Sequence, residues 1–282
     1  MNDMSTSTEE FASAGTKKPV IALMGEFSAG KSTLSNLLIG EEALRVQVTA
    51  TQMPPVWISQ GSGDPFRVTK DGAEEPVDLN APISLEDTLY VRVFGKSDIL
   101  EICDIIDMPG ISDPNMSPEV WQRVIGKADA VLWCTHATQA WRQSEAAVWM
   151  SMPAELYKRS LLLLTRFDKL VNERDKRRVV KRVEKEPQGQ FAGIYPISLL
   201  EAIEAQDDRE KWEASGADAF TQALIETIHE IDGGSKPNRP TSQRVGPPPL
   251  TVIDGEEAAE DAAPKIMPRR VVRKARAPRP TA

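Results

Sequence analysis

Eight consecutive residues, Gly25-Glu26-Phe27-Ser28-Ala29-Gly30-Lys31-Ser32, have the types and spacing of a loop that wraps a phosphate. Glycines at its two ends let the backbone curl until its N–H groups point inward at phosphate oxygens. A helix starting near Lys31 would add the positive end of its dipole. Lys31 would reach the β- and γ-phosphates, and the Ser32 hydroxyl would ligate Mg²⁺. The bland alternative is a glycine-containing strand-to-helix turn.

Two further clusters suit the same chemistry. Asp107-Met108-Pro109-Gly110 follows an apolar run. An Asp at a strand tip can hold Mg²⁺, often through water, and Gly110 can offer its N–H to the γ-phosphate. A plain turn at Pro109-Gly110 is the alternative. Thr165-Arg166-Phe167-Asp168 ends a run of four leucines. It sits where guanine-specific P-loop proteins carry [NT]KxD. A carboxylate there accepts hydrogen bonds from guanine N1 and N2, which adenine cannot match. Arg166 replaces the usual Lys and can still stack on a base through its planar guanidinium. Local pairing of Asp168 with Lys169 is the alternative.

These groups need a scaffold that brings strand ends together. Residues 20–24, 56–60, 89–94, 100–106, 130–135, 161–165 and 194–197 read as strands, from their short apolar runs. Residues 31–39, 144–150 and 172–184 read as helices, and Phe220, Ala223, Leu224, Ile228 and Ile231 line one face of a last helix. Lys70-Asp71-Gly72 suggests a hairpin between the second and third strands. Strands alternating with helices predict an α/β fold with a mostly parallel central sheet and helices on both faces.

Taken together these residues resemble the dynamin superfamily of large GTPases, especially its bacterial members. The likeness is greatest over GEFSAGKSTLSNLLIG and continues at Val48-Thr49-Ala50-Thr51-Gln52-Met53-Pro54, which is similar to the family's first switch. The resemblance implies that Thr51, with Thr49 as runner-up, contacts Mg²⁺ and helps position the attacking water. The segment DIIDMPGI resembles the second switch, with Met108 where the family usually has Thr. Gly193-Ile194-Tyr195-Pro196-Ile197-Ser198 resembles the last strand and base-contacting loop, but Leu199 and Leu200 replace the usual Ala and Lys. Eukaryotic dynamins carry Gln at the position of Phe27, whereas bacterial relatives commonly share the Phe.

The resemblance implies a Mg²⁺-dependent GTPase with GTP or GDP as its nucleotide. Lys31 and Thr51 are the candidate catalytic residues. Nucleotide contacts are expected from Gly25, Glu26, Phe27, Ser28, Ala29, Gly30, Lys31, Ser32, Thr33, Gly110, Thr165, Arg166, Asp168 and Ser198. The metal would lie at Ser32, Thr51 and Asp107. With no evident catalytic Gln or arginine finger, turnover should be slow alone and raised by a G-domain homodimer or a partner. Two alternatives stay open: a GTP-dependent binding module that hydrolyses negligibly, and an ATP-using P-loop enzyme.

The 282 residues divide by composition. Residues 1–17 are small and polar and are expected to be disordered. The GTPase domain is expected over 18–232. Residues 233–282 hold 9 of the 21 prolines and no Phe, Trp or Tyr, which predicts a disordered tail with an acidic patch at 254–261 and a basic end at 269–279. The family's helical stalk is not recognisable in this tail, so a partner supplying those helices is expected. The chain carries 34 basic and 42 acidic residues, a net charge of −8, which argues against a general nucleic-acid surface. The basic end could make a weak, salt-sensitive contact with anionic lipid. Two cysteines inside apolar runs, no signal peptide and no spanning segment predict a cytoplasmic protein, at most peripheral to the inner membrane face. Trp133, Trp141 and Trp149 recur every eight residues, compatible with a core or a dimer surface. His136 carries no catalytic signal and His229 is expected at the surface.

Overall fold

The computed structural model describes residues 18–40, 53–113, 117–187 and 189–233. Thr49 and Thr51, the N-terminal segment and the proline-rich tail lie outside the described residues.

The central strands show why the sheet is buried on both sides. In β1 (Val20–Gly25) every residue is buried. Successive side chains of a strand point to opposite faces. Ile21 and Leu23 therefore join one core layer, while Val20, Ala22 and Met24 join the other. β7 (Ala130–His136) and β8 (Leu161–Thr165) divide in the same way, Leu161 and Leu163 facing one layer and Leu162 and Leu164 the other. Continuous apolar runs of this kind are the signature of strands covered on both faces.

The remaining strands are β2 (Val56–Gln60), β3 (Phe66–Thr69), β4 (Glu74–Pro76), β5 (Thr88–Gly95), β6 (Asp104–Asp107) and β9 (Gly193–Pro196). They form one sheet in the order β4-β3-β5-β2-β6-β1-β7-β8-β9. From β6 to β9 all pairs are parallel. β2 runs antiparallel to β6 and parallel to β5, and β3 and β4 form a hairpin at Lys70-Asp71-Gly72. A polar clip holds this inserted part. Asp104 Oδ2 accepts from Trp57 Nε1 at 2.8 Å and from Arg92 at 3.0 Å, and Arg92 lies over the Trp57 ring.

Helices α1 (Lys31–Ile39), α2 (Asp98–Ile102), α6 (Leu199–Ala205), α7 (Arg209–Ala214) and α8 (Ala217–Ile231) contribute to one core layer. α3 (Glu119–Ile125), α4 (Gln143–Met150) and α5 (Glu173–Lys185) contribute to the other. His229 is exposed on α8. No helix of the described residues is long and apolar enough to cross a membrane.

One expected strand is corrected. Residues 100–106 do not form a single strand: α2 takes residues 98–102, and β6 starts at Asp104. Ser97 and Asp98 favour a helix start. Ile99 and Cys103 then stack at i and i+4, with the Cys103 N–H donating to the Ile99 carbonyl at 3.1 Å. Leu100 is fully buried in the layer that α1 covers. A short apolar run carries no period that separates the two conformations.

The three tryptophans are all core residues. Trp149 packs edge-on against Trp133 at 5.5 Å and stacks on Phe191 at 4.2 Å. Its indole nitrogen has no hydrogen-bond partner among the described residues. The packing is therefore aromatic and not polar in origin. Trp149→Phe should cost less than Trp149→Ala, because it retains an aromatic ring and leaves the smaller cavity. Trp149→Ala should cost about 3–5 kcal/mol. Urea unfolding of both variants checks the ordering.

Candidate functional site

The phosphate loop leaves β1 at Gly25 and enters α1 at Lys31. Its shape depends on two positive φ values that glycine tolerates, +142° at Gly25 and +96° at Gly30. Gly25 is also pressed against β7: a Cβ there would lie 2.1 Å from the Cys134 carbonyl oxygen. Ser28 takes the left-handed conformation as well, at φ 60°. Ser32 and Thr33 open the helix, Ser32 exposed and Thr33 half-buried.

Lys31 is 9% exposed and its ammonium donates to the carbonyls of Gly25 at 3.2 Å and Glu26 at 2.9 Å. Burial lowers its pKa, opposed chiefly by the Asp107 carboxylate. Asp107 ends β6 beside β1. Burial pushes its carboxyl up to about 6, with Lys31 pulling the other way. The residues after it run along the loop: the Met108 N–H donates to Leu23 O at 3.1 Å and the Ile111 N–H to Gly25 O at 3.2 Å. A Cβ on Gly110 would sit 3.0 Å from the Phe27 backbone, so this glycine permits the close approach. The Phe27 N–H donates to Ser112 Oγ at 3.1 Å.

The loop after β8 is tied directly to the phosphate loop. Thr165 Oγ1 donates to Ala29 O at 2.7 Å, and Arg166 donates to Ser28 O at 3.0 Å. Arg166 itself is left-handed at φ 53°. Asp168 accepts from Ser198 Oγ at 3.1 Å and pairs with Lys169 at 2.9 Å. Burial works against its ionisation, but Lys169 and Ser198 outweigh it and hold the carboxyl below its ordinary value. Asp168 thus makes the local pair with Lys169 that the sequence offered as its alternative reading, and it stands beside Ser198 at the strand ends. Thr165 spends its hydroxyl on the loop backbone, so it positions the loop.

A second polar network braces the phosphate loop from β7 and α4. Glu145 is 2% exposed. Its carboxylate accepts from Trp133 Nε1 at 3.1 Å, Thr135 Oγ1 at 2.9 Å and the Arg142 N–H at 2.9 Å. Burial nevertheless raises its pKa. Arg142 and Ser144 then hold the Glu26 carboxylate at 2.7 Å and 2.8 Å. A cavity of about 310 Å³ opens there, lined by Glu26, Phe27, Ser112, His136 and Arg142. Burial, then Arg166 and Arg142, lower the His136 pKa, so its imidazole is neutral near pH 7. Sequence reasoning passed over Arg142, Ser144 and Glu145. The signal was the spacing Arg142-x-x-Glu145 at a helix start, where an N3 carboxylate can accept from the N-cap N–H.

Residues 20–166 match the family model described as 50S ribosome-binding GTPase. The chain belongs to this family of P-loop GTPases. No curated protein matches it. Among solved structures it is similar to one described as an oligomerised bacterial dynamin pair for long-range sensing and tethering of membranes. That likeness has 18% identity and a TM-score of 0.52, covering 77% of this chain and 36% of the other. A second structure of such a pair gives 18% identity and 0.51, with the same coverage. A variant of Era from Aquifex aeolicus bound to GDP and AlF₄⁻ gives 18% identity and 0.45, covering 82% of this GTPase and 62% of that chain. This GTPase thus spans about a third of the length of the bacterial dynamins, and the likeness is one of fold.

The Glu145 network is the testable brace of the site. Glu145→Ala leaves three buried donors without their acceptor, each worth about 1–3 kcal/mol when unsatisfied. Part of that returns through water or relaxation. We expect a loss of about 2–4 kcal/mol in urea unfolding, together with weaker nucleotide binding at temperatures where the variant remains folded.

Proposed function

We propose that this GTPase is a dynamin-like G domain that binds and hydrolyses GTP with Mg²⁺. The observation that carries the reading is the direct bonding of two loops. Thr165 and Arg166 of the base side donate into Ala29 and Ser28 of the phosphate side. One nucleotide can therefore lie with its phosphates over Lys31 and its base toward Asp168. The dynamin assignment rests on residues 25–40, on Phe27, and on the fold shared with bacterial dynamins.

Residues of the chain divide the work. Amides of residues 25–33 surround the phosphates, and Lys31 exchanges its two carbonyl partners for β- and γ-oxygens. Gly110 offers its N–H to the γ-phosphate. Asp168, oriented by Ser198, accepts from guanine, and Arg166 covers the base side. The residues fit a divalent ion: Asp107 is a carboxylate made uncomfortable by burial, with one cation near it. Among the described residues no group of three or more His, Cys, Asp or Glu could hold a metal unaided. Ser32, Asp107 and Thr51 would hold Mg²⁺ together with the phosphates. The ion would neutralise charge on them.

Three large apolar side chains in or next to these loops are exposed: Phe27 at 67%, Leu200 at 58% and Val171 at 94%. Phe27 belongs to the phosphate loop, Leu200 follows Ser198 by two residues and Val171 follows Asp168 by three. Exposed apolar side chains beside these loops support a second G domain facing the nucleotide. We place the folded unit at residues 18–232, with the tail beyond it, in a cytoplasmic protein. The alternative of a binding module with negligible hydrolysis is favoured by Phe27, which cannot orient water.

GTP should bind and turn over while ATP does not. Lys31→Ala should lower turnover by roughly 100-fold or more, and Asp168→Asn should weaken GTP binding by roughly 10- to 100-fold. Binding titrations and phosphate release decide between hydrolysis and a pure binding module. Equal use of ATP would overturn the reading of Asp168.

Specific activity should also rise with protein concentration between nanomolar and tens of micromolar. A flat series would remove self-activation by a homodimer.

A further inference from the structure

α5 has a surface unlike the rest of the molecule. Of its 13 residues only Val183 is buried, with Val179 and Val180 half-buried against the core. Arg174, Arg177, Arg178, Lys181 and Lys185 are all exposed. Their spacing of three and four residues places them within an arc of about 100° on the side opposite Val183. None of the five makes an ion pair among the described residues. The helix's other two cations are engaged: Lys176 pairs with Glu173 at 2.9 Å, and Arg182 donates to the Ala140 carbonyl. The acidic residues Glu173, Asp175, Glu184 and Glu186 flank the arc and do not enter it.

This stripe sits on an acidic body. Residues 1–232 hold 24 basic and 37 acidic residues. A long polyanion laid across the body would meet a repulsive surface beyond the helix. A short acidic segment would meet only the stripe. The chain carries one: residues 254–261, DGEEAAED, contain Asp254, Glu256, Glu257, Glu260 and Asp261. Five negative charges in eight residues match five unpaired positive charges on α5.

The path is long enough. The described chain ends at Gly233, just past α8, in the core layer on the far side of the sheet from α5. Twenty-one residues lead from Gly233 to Asp254. Extended, they reach about 70 Å, and as a flexible coil their mean span is about 25 Å. The extended reach exceeds the breadth of a compact domain of this size, roughly 40–45 Å. Tethering also raises the local concentration of the segment toward millimolar.

We propose that the basic stripe of α5 is the docking surface for the chain's own acidic segment, residues 254–261. The contact is electrostatic, intramolecular and salt-sensitive. It shields the stripe from other polyanions and holds the basic end of the tail near the domain.

Carbodiimide cross-linking of the full chain, read by mass spectrometry, tests this. In 0.01 M salt, Lys181 and Lys185 should link to the acids of residues 254–261 within single chains. Mixing isotope-labelled and unlabelled protein separates links within a chain from links between chains. Raising salt to 1 M shortens the Debye length from about 30 Å to about 3 Å, and the yield should fall roughly tenfold. Arg174→Glu, Arg177→Glu and Arg178→Glu together should abolish the links. Adding Glu256→Lys, Glu257→Lys and Glu260→Lys should restore links, now between the substituted positions. The tail substitutions alone cannot disturb the core and should also abolish the original links. Links from the acids only to Lys265 or Lys274, links only between chains, or a yield indifferent to salt and charge reversal would each overturn the proposal. So would an RNA oligonucleotide or phosphatidylglycerol vesicle that removes the links at stoichiometric amounts, which would assign the stripe to that polyanion.

Discussion

A single close contact underlies the site: the backbone at Gly25 lies so near the Cys134 carbonyl that no side chain fits between them. β1 and β7 are parallel neighbours, and their register brings Gly25 opposite Cys134. The contact turns the chain out of β1 at the point where the phosphate loop must begin. Everything around it follows from that turn. Lys31 folds back beneath the loop, Asp107 arrives from the other neighbour of β1, and Thr165 and Arg166 reach across from β8. Cys134 supplies its backbone to this contact, and its thiol is inert, buried and pushed up to about 12.

The parts legible in the sequence were those whose physics is local. The continuous apolar runs of β1, β7 and β8 announce two-sided burial without tertiary knowledge. The spacing of Gly25, Gly30, Lys31 and Ser32 announces a backbone shape. Residues 98–106 were not legible, because a short apolar run reads equally well as strand or helix turn. The choice is made by Leu100 packing under α1 and by Lys18 donating to the Leu100 carbonyl at 3.0 Å, from 82 residues away. The Glu145 brace was hidden for a similar reason. Its partners Trp133, Thr135 and Arg142 are close in sequence, but only the fold shows that a charged side chain enters the core there. Thr51 belongs to a segment outside the described residues, so its part in the chemistry rests on sequence alone.

Two buried carboxylates each form a joint between elements of this fold. One, Asp104 with Trp57 and Arg92, fastens the antiparallel insertion to the parallel sheet. The other, Glu145 with its three donors, fastens α4 and the loop before it to β7, and through Arg142 and Ser144 reaches Glu26. A buried carboxylate is costly unless fully bonded. Both are well supplied, which makes the joints specific as well as stable. The phosphate loop is consequently anchored on both flanks, to β8 through Thr165 and to α4 through Glu26.

β4, at one border of the nine-stranded sheet, is three residues long, fully exposed, and reads Glu74-Glu75-Pro76. Like charges and a proline lacking an N–H make a poor template for another strand. β9, at the opposite border, ends in Pro196 and has α8 packed beside it. Among the described residues, these short, proline-bearing borders offer little for another strand to pair with. An assembly built on this sheet would have to rest on side-chain contacts.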